Sequence, residues 1–178
     1  MKKALLFPII TLLLSVCILF TLTLSLNDIA QKNYEETRTQ IMHTLLPDSE
    51  TFEFEEYTGS DSNIVSIHKA ETGFIVETLV YGYADYIRTL VAVDTKGMVV
   101  GIMVINIYDT FGLGLNVLTD HEFLSQYLGS STTMEVGDTI DAISGATVTS
   151  KAITKSVNSA IAFVTGADID SGATEWGE

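Results

Sequence analysis

The chain has 178 residues, of which 47% are hydrophobic, and its net charge is −14. This length accommodates one membrane anchor and one domain with a buried core. The negative charge repels phosphate backbones and argues against nucleic acid as a partner. Cys17 is the single cysteine, so the rest of the chain has no internal disulfide and no thiolate metal site.

Residues 4–26 carry no charged side chain and are mostly Leu, Ile, Val and Phe. At about 1.5 Å per residue, a helix of this length reaches about 34 Å and crosses a bilayer. Lys2 and Lys3 precede the run and acidic residues follow it, so the positive-inside rule predicts a cytoplasmic N-terminus. The run exceeds the ~7–15 apolar residues of a signal peptide, and we expect a single-pass anchor that is not cleaved.

The segment after the anchor begins with a predicted helix at residues 29–46, which Pro47 ends. Residues 52–63 are acidic and polar, which predicts a loop or an edge strand. Three β-type runs follow, and these lie at residues 73–80, 86–93 and 98–107.

The run at 98–107 is almost continuously apolar, which predicts a strand buried on both faces. The sequence Asp-Thr-Lys-Gly at 94–97 predicts the hairpin turn before it. Three tyrosines near the preceding turn are expected to be sheet and core residues, and these are Tyr81, Tyr83 and Tyr86.

Two helices are predicted in the C-terminal half. Thr119–Glu122 has the pattern of a capping box and predicts a short helix that Gly129 closes. A second helix ends at Gly166, and its core-facing residues recur at helical spacing, as Ile153, Val157, Ala160 and Val164. The predicted fold class is α+β, with one N-terminal transmembrane helix followed by a small antiparallel sheet with packed helices.

The sequence Asp-Ala-Ile-Ser-Gly-Ala-Thr at 141–147 closes a β-type stretch and begins that second helix. The first N–H groups of a helix lack intrahelical partners, and the helix dipole favours negative charge there. Thr147 therefore lies where a phosphate is well received, and Gly145 and Ala146 leave room for it. The same residues also fit an ordinary helix cap that binds no ligand.

A second motif lies between the run at 98–107 and the capping-box helix. Residues 110–114 read Thr-Phe-Gly-Leu-Gly, a Gly-x-Gly loop that brings backbone amides close to the end of the strand. The histidines His43, His68 and His121 show no ligand spacing, so we predict no metal site.

The chain resembles the FMN-binding G subunit of the Rnf-type ferredoxin:NAD oxidoreductases. The resemblance lies in the order of its segments, which are the anchor, the turn at 94–101, the loop at 110–114 and the motif at 141–150. The chain is also similar to the related C subunit of the sodium-pumping NADH:quinone oxidoreductase. The match runs from the anchor to about Gly166, and the family usually has Glu and Pro where this chain has Asp109 and Phe111.

The resemblance implies covalent FMN, joined by its phosphate to Thr147 and delivered from FAD by a magnesium-dependent flavin transferase. It further implies that the isoalloxazine ring lies against the loop at 110–114. The implied flavin site comprises Asp141, Ser144, Gly145, Ala146, Thr147, Thr149 and Ser150 together with Thr110, Gly112, Leu113 and Gly114.

We divide the chain into four predicted segments. Residues 1–27 form the anchor, 28–63 a juxtamembrane helix and loop, 64–166 the FMN-binding domain and 167–178 a tail. The tail repeats the attachment pattern at 168–174, where no helix follows, and we expect no second flavin at Thr174.

The implied function is electron transfer within a membrane complex that moves ions, with integral membrane subunits as partners and the flavin domain on the outer face. Three alternatives remain open. These are the C subunit of the quinone reductase, an extracellular FMN carrier outside any ion pump, and an anchored interaction domain without flavin. The coupling ion, Na⁺ or H⁺, is open as well.

Overall fold

The computed structural model describes residues 2–107 and 120–167, with the backbone alone for residues 2–10 and Ile107. The chain divides into two compact units, Met1–Gln40 and Ile41–Glu178. Helix α1 (Lys2–Leu45) makes up the described part of the first unit and enters the second. The predicted helix at 29–46 is thus the last part of α1, since no Pro or Gly interrupts residues 9–46.

Within the described residues, α1 is the one helix long and apolar enough to cross a membrane. Its apolar side chains point outward, with Leu12, Leu19 and Phe20 each more than half exposed. A long helix that is apolar on its exposed surface fits a membrane-associated protein.

The second unit holds a five-stranded antiparallel sheet in the order β1-β2-β3-β4-β5. Two helices follow it, and the elements are β1 (Glu53–Glu55), β2 (Ile64–Lys69), β3 (Gly73–Tyr81), β4 (Tyr86–Asp94), β5 (Val99–Ile107), α2 (His121–Ser125) and α3 (Thr147–Thr165). The predicted α+β class is confirmed, and so are the three β-type runs, which correspond to β3, β4 and β5. The acidic segment supplies β1 as an edge strand.

Strand β2 was absent from the sequence prediction because two of its inward positions are polar. Ser66 and His68 are buried beside the carboxylate of Glu77, to which Ser66 Oγ donates a hydrogen bond of 2.7 Å. Glu77 also pairs with Arg88 of β4. Neighbouring strands therefore supply the polar partners that make burial of these side chains possible.

The prediction that residues 98–107 form a strand buried on both faces is wrong. β5 lies at the edge of the described sheet, and Val100 is 42% exposed. A continuous apolar run fits a central strand and a strand that is covered on one face equally well, because the pattern carries no information on strand order.

The sheet separates two apolar clusters. On one face, residues of β3 and β4 such as Val76 and Val91 pack with Ile153, Val157 and Ile161 of α3. The other face carries a smaller cluster, formed by Ile75, Leu90 and Ala92 with Met42, Leu45 and Leu46. Because Met42 and Leu45 pack there and β1 pairs with β2, the predicted domain boundary at residue 63 lies inside the compact unit.

The turn between β4 and β5 is as predicted. Asp94 Oδ1 accepts hydrogen bonds of 2.8 Å from the N–H groups of Lys96 and Met98, and Gly97 has a φ of 86°. A side chain at Gly97 would also collide with Thr165, so this turn packs against the C-terminal end of α3.

Helix α2 begins one residue later than the capping-box pattern suggested. Asp120 is its cap, and Asp120 Oδ1 accepts a 2.9 Å hydrogen bond from the N–H of Phe123. The prediction that Gly129 closes this helix is wrong, because α2 ends at Ser125 with Gln126 as its C-cap. Gly129 lies three residues beyond the cap with a φ of 80°, and its N–H donates to the carbonyl oxygen of Val99.

Candidate cofactor-binding site

The motif at 141–147 forms a turn that leads directly into α3. The N–H of Ala146 donates to the carbonyl oxygen of Ile143 at 2.9 Å, and Gly145 has a φ of 79°. Helix α3 begins at Thr147, as predicted, but the stretch before the motif carries only an isolated bridge between Val136 and Ile140. The N-cap of α3 is Ala146, whose side chain forms no hydrogen bond with the helix.

The first turn of α3 separates one exposed hydroxyl from two buried ones. Thr147 is exposed, whereas Thr149 and Ser150 are buried. Because Thr147 is the first residue of the helix, its hydroxyl lies beside the N–H groups at the positive end of the helix dipole. The arrangement leaves one hydroxyl of this turn accessible to a reagent from solvent.

Ser150 holds the turn in place. Its N–H and its Oγ both donate to the carbonyl oxygen of Ala146, at 2.9 and 3.0 Å. The Oγ also accepts from the N–H of Ile143 at 3.2 Å. One buried hydroxyl thus ties the residues on both sides of Gly145 to the helix.

Asp141 is fixed through its backbone. The side-chain amide of Gln126 accepts from the N–H of Asp141 at 2.7 Å and donates to its carbonyl oxygen at 3.3 Å. The carboxylate of Asp141 is exposed. Gln126 therefore positions the start of the motif and leaves the acidic group free to face solvent, a role that sequence reasoning missed because Gln126 lies outside the motif.

Two further polar contacts fasten the segment between α2 and α3 to the helix. Tyr127 is fully buried, and its hydroxyl lies 2.8 Å from Thr154 Oγ1. Burial raises the pKa of Tyr127 well above its ordinary value, and the hydrogen bond with Thr154 opposes this rise only in part. Asn158 of α3 bonds both the N–H and the carbonyl oxygen of Met134, at 2.9 and 2.8 Å.

The structure brings seven predicted site residues together in the turn and the first turn of α3. These are Asp141, Ser144, Gly145, Ala146, Thr147, Thr149 and Ser150. The other four predicted residues, Thr110, Gly112, Leu113 and Gly114, lie outside the described residues, as does the second copy of the motif at 168–174.

A cleft of 740 Å³ lies beside the start of α3, between that helix and the hairpin that joins β3 and β4. Tyr81, Tyr83 and Tyr86 line it and are 59%, 66% and 50% exposed. Tyr81 and Tyr86 do belong to the sheet, but the expectation that the three tyrosines are core residues is wrong. They lie at the turn of the β3–β4 hairpin, where their side chains are exposed.

Comparison with known proteins shows what this region of the chain is similar to. Residues 82–162 match the family model of the FMN-binding domain. The match covers 81 of the 178 residues. The matched range includes the turn at 143–146, the whole first turn of α3, and Tyr83 and Tyr86 of the cleft.

Three curated relatives are similar to this chain. The G subunit of the Na⁺-translocating ferredoxin:NAD⁺ oxidoreductase complex of Acetobacterium woodii is 32% identical over 117 residues, covering 60% of this chain and 53% of the relative. Its proton-translocating counterpart from Clostridium ljungdahlii is 34% identical over 98 residues, 52% of this chain and 53% of the relative. The G subunit of the ion-translocating oxidoreductase complex of Methanosarcina acetivorans is 28% identical over 145 residues, 72% of this chain and 76% of the relative.

All three relatives are G subunits, so the predicted resemblance to this kind of subunit is confirmed. The chain spans about half the length of the first two relatives. Together with the FMN-binding domain, the similarity supports a flavoprotein of the electron-transport class, and the apolar helix α1 fits its association with a membrane.

Proposed function

We propose that the protein is a membrane-anchored electron carrier that holds FMN in phosphodiester linkage to Thr147, within an ion-translocating ferredoxin:NAD oxidoreductase complex. The relatives named as G subunits of such complexes support this assignment, as does the FMN-binding domain. Integral membrane subunits of the same complex are its proposed partners. The names of the relatives include both sodium and proton, and the proposal specifies neither ion.

The observation that carries the proposal is the exposed Thr147 hydroxyl at the start of a 19-residue helix whose cap, Ala146, has no polar side chain. A phosphate attached there meets N–H groups that no cap side chain occupies, and it also gains from the helix dipole. The residues present therefore fit a covalently held flavin phosphate. Ser150 is buried and bonds the turn, so its part is to hold Ala146 beside the attachment point.

The proposed attachment replaces the phosphoanhydride bond of FAD with a phosphate ester to Thr147. The Thr147 hydroxyl oxygen bonds to the flavin-side phosphorus of FAD, the bond between the two phosphates breaks, and AMP leaves. The hydroxyl proton passes to a base of the flavin transferase. The product is a phosphodiester with one negative charge, which the start of α3 favours.

Once bound, the flavin supplies the electron transfer. The chain's own residues hold it: Thr147 by the covalent bond, and Gly145 and Ala146 by leaving space beside the phosphate. Contacts of the ring with Thr110, Gly112, Leu113 and Gly114 stay a prediction. Covalent attachment matters most if the domain faces outward, because a dissociating flavin would be lost from the cell surface.

Replacement of Thr147 by Ala tests the attachment. Thr147 is exposed and is not the cap of the helix, so the change should cost about 0.5 kcal/mol or less in stability. Wild-type protein made with a flavin transferase should keep its flavin fluorescence on a denaturing gel, and Thr147→Ala should lose it. The assembled mutant complex should lose ferredoxin-linked NAD reduction and ion transport together.

Thr165→Ala is the matched control, since Thr165 is an exposed threonine at the other end of the same helix. Trypsin cuts after Lys151 and Lys155, so Thr147 and Thr174 fall on different peptides. An FMN mass on the Thr174 peptide, or a fluorescent Thr147→Ala band, would contradict the proposal.

The proposed topology places the N-terminus in the cytoplasm and the flavin domain on the outer face. Lys2 and Lys3 before the apolar run, with Asp28 after it, support this orientation. A reporter that works only in the cytoplasm should be inactive when fused after Glu178 and active when fused before Met1. The opposite pattern would reject the orientation and with it the reason for covalent attachment.

A further inference from the structure

Gln126 and Tyr127 are adjacent residues at the end of α2, and they bond two different parts of the attachment region. Gln126 bonds the backbone of Asp141, where the motif begins. Tyr127 bonds the hydroxyl of Thr154 in α3. Because the two contacts have different partners, the role of each can be tested without disturbing the other.

The position of Gln126 is fixed by its buried neighbours. Phe123 is 2% exposed and Tyr127 is fully buried, and both belong to the cluster between the sheet and α3. Gln126 itself is the C-cap of α2 and has helical backbone angles, with φ of −61° and ψ of −26°. Its amide therefore extends from a backbone that core packing holds in place, as a residue that orients another must.

The amide of Gln126 holds both backbone polar groups of one residue, since a single planar group carries an acceptor and two donors. Its oxygen accepts from the N–H of Asp141 at 2.7 Å, and its nitrogen donates to the carbonyl oxygen of Asp141 at 3.3 Å. Two bonds to one residue restrict its φ and ψ, and these angles set the direction in which its side chain points.

The carboxylate of Asp141 has no other contact that would orient it. It is exposed, and within the described residues it forms no hydrogen bond and no ion pair. The direction of this carboxylate therefore depends on the backbone that Gln126 holds.

The rest of the motif is held without Gln126. Ile140 before it is 1% exposed, so the chain enters the motif from a buried side chain. Ser150 Oγ bonds the N–H of Ile143 at 3.2 Å and the carbonyl oxygen of Ala146 at 3.0 Å. Gln126 thus controls one residue, Asp141, that lies between two segments fixed by other contacts.

We propose that Gln126 is a positioning residue for flavin attachment. It holds Asp141 in the orientation in which the flavin transferase binds the Asp141 carboxylate while FMN passes from FAD to the Thr147 hydroxyl and AMP leaves. This inference rests on the proposed attachment at Thr147. It adds to the attachment reaction a residue from a different helix, outside the motif.

The expected consequence is a change in KM and not in kcat. Without the amide, the exposed Asp141 backbone bonds water instead and samples several orientations, of which the transferase binds one. A partner that binds only a fraction of the conformers shows an affinity weakened by that fraction. Loss of the two hydrogen bonds should raise the KM of the transferase for this protein roughly tenfold. The value of kcat should stay the same, because Thr147 and the start of α3 are unaltered.

Gln126→Met tests this role, because it removes the amide and keeps a long, unbranched side chain. The full chain, purified in detergent without flavin, is incubated with flavin transferase, FAD and Mg²⁺. The rate of flavin incorporation is read as band fluorescence on a denaturing gel. Its dependence on the concentration of this protein gives KM and kcat, and unchanged KM in Gln126→Met would overturn the inference.

A double-mutant cycle shows whether Gln126 acts through Asp141. Asp141→Ala alone should raise KM, and adding Gln126→Met to it should raise KM no further, since no carboxylate is left to orient. Effects that multiply in the double variant would overturn the inference, because Gln126 would then act independently of Asp141.

Two controls separate positioning from stability. Tyr127→Phe removes the hydrogen bond to Thr154 from the adjacent residue and leaves the Asp141 contact in place, so its KM should equal that of wild type. Gln31→Met makes the same exchange at an exposed position of α1 and should also leave KM unchanged. An equal rise of KM in Tyr127→Phe and Gln126→Met would assign the effect to lost stability and overturn the inference.

Amide hydrogen exchange, followed by NMR, reads the position of Asp141 directly. In Gln126→Met, exchange of the Asp141 N–H should become roughly tenfold faster. Exchange of the Ile143 N–H, which Ser150 holds, should not change. Unchanged exchange at Asp141 would overturn this inference alone, whereas absence of flavin from wild-type Thr147 would reject the attachment and the inference together.

Discussion

Helix α3 ends differently at its two termini. At its C-terminal end, Gly166 takes a φ of 71°, its N–H bonds the carbonyl oxygen of Ala162, and Thr165 packs against Gly97 of the β4–β5 turn. At its N-terminal end, the cap is an alanine without a polar side chain, and an exposed Thr147 stands beside an open cleft. One terminus is closed by local contacts, whereas the first residue of the other terminus is exposed.

The difference separates stability from function along a single helix. Residues toward the C-terminus, such as Val157 and Ile161, are fully buried against the sheet. In the first turn, by contrast, the buried side chains are those of Thr149 and Ser150, and Ser150 bonds the preceding turn. Lys151 and Lys155 further along the helix line the cleft. Hydrogen bonds from the chain's own groups to the free N–H or C=O groups at a helix end add stability. The N–H groups at the start of a helix can bind a phosphate only if such bonds do not already occupy them.

The largest expected effect comes from the buried half of α3. Ile161→Ala should lower the free energy of unfolding by about 2–5 kcal/mol, because it leaves a cavity in the core. Val148→Ala, on the half-buried first turn, should cost under about 1 kcal/mol. Urea unfolding followed by circular dichroism measures both, and equal costs would contradict the division of α3 into a structural and a functional half.

Glycine-to-alanine changes at the two ends sharpen the comparison. Gly145 and Gly166 have φ values of 79° and 71°, so Ala at either position should cost about 1–2 kcal/mol. Only Gly145→Ala should also reduce flavin attachment, since it alters the turn before Thr147. Thermal unfolding and the flavin-to-protein ratio measure the two effects. Loss of flavin attachment in Gly166→Ala would contradict the claim that only the N-terminal end of α3 takes part in attachment.

A further prediction concerns the contact that links the segment after α2 to the N-terminal half of α3. Tyr127→Phe should cost about 1 kcal/mol, because it removes the hydrogen bond to Thr154. Its raised pKa keeps the buried hydroxyl protonated when the unfolded chain ionises above pH of about 10. Folded protein then binds more protons than unfolded protein, so stability falls as pH rises.

Urea unfolding between pH 8 and 11 checks this dependence, within a range chosen around the ordinary tyrosine pKa of about 10. Tyr127→Phe should show a shallower loss than wild type above that value. Tyr83→Phe, which removes a hydroxyl from an exposed ring, should keep the wild-type slope. A slope in Tyr127→Phe equal to that of wild type would show that another group carries the alkaline loss.

Local patterns predicted the elements that depend on neighbours in sequence. The spacing of Ile153, Val157 and Ala160 predicted α3, and Asp94 with Gly97 predicted a turn, because side chains a few residues apart determine both. The pattern could not predict β2, whose Ser66 and His68 are acceptable inside only because β3 and β4 bring Glu77 and Arg88 to them.

The sequence by itself determined that Thr147 begins a helix after a glycine turn, since caps and turns depend on a few adjacent residues. Only the tertiary structure decided what surrounds that threonine. Gln126 reaches Asp141 through the packing of α2, and residues of the β3–β4 hairpin line one cleft together with Lys151 because α3 packs on the sheet. Such neighbours are far apart in the chain, and the burial of apolar surface between helix and sheet brings them together.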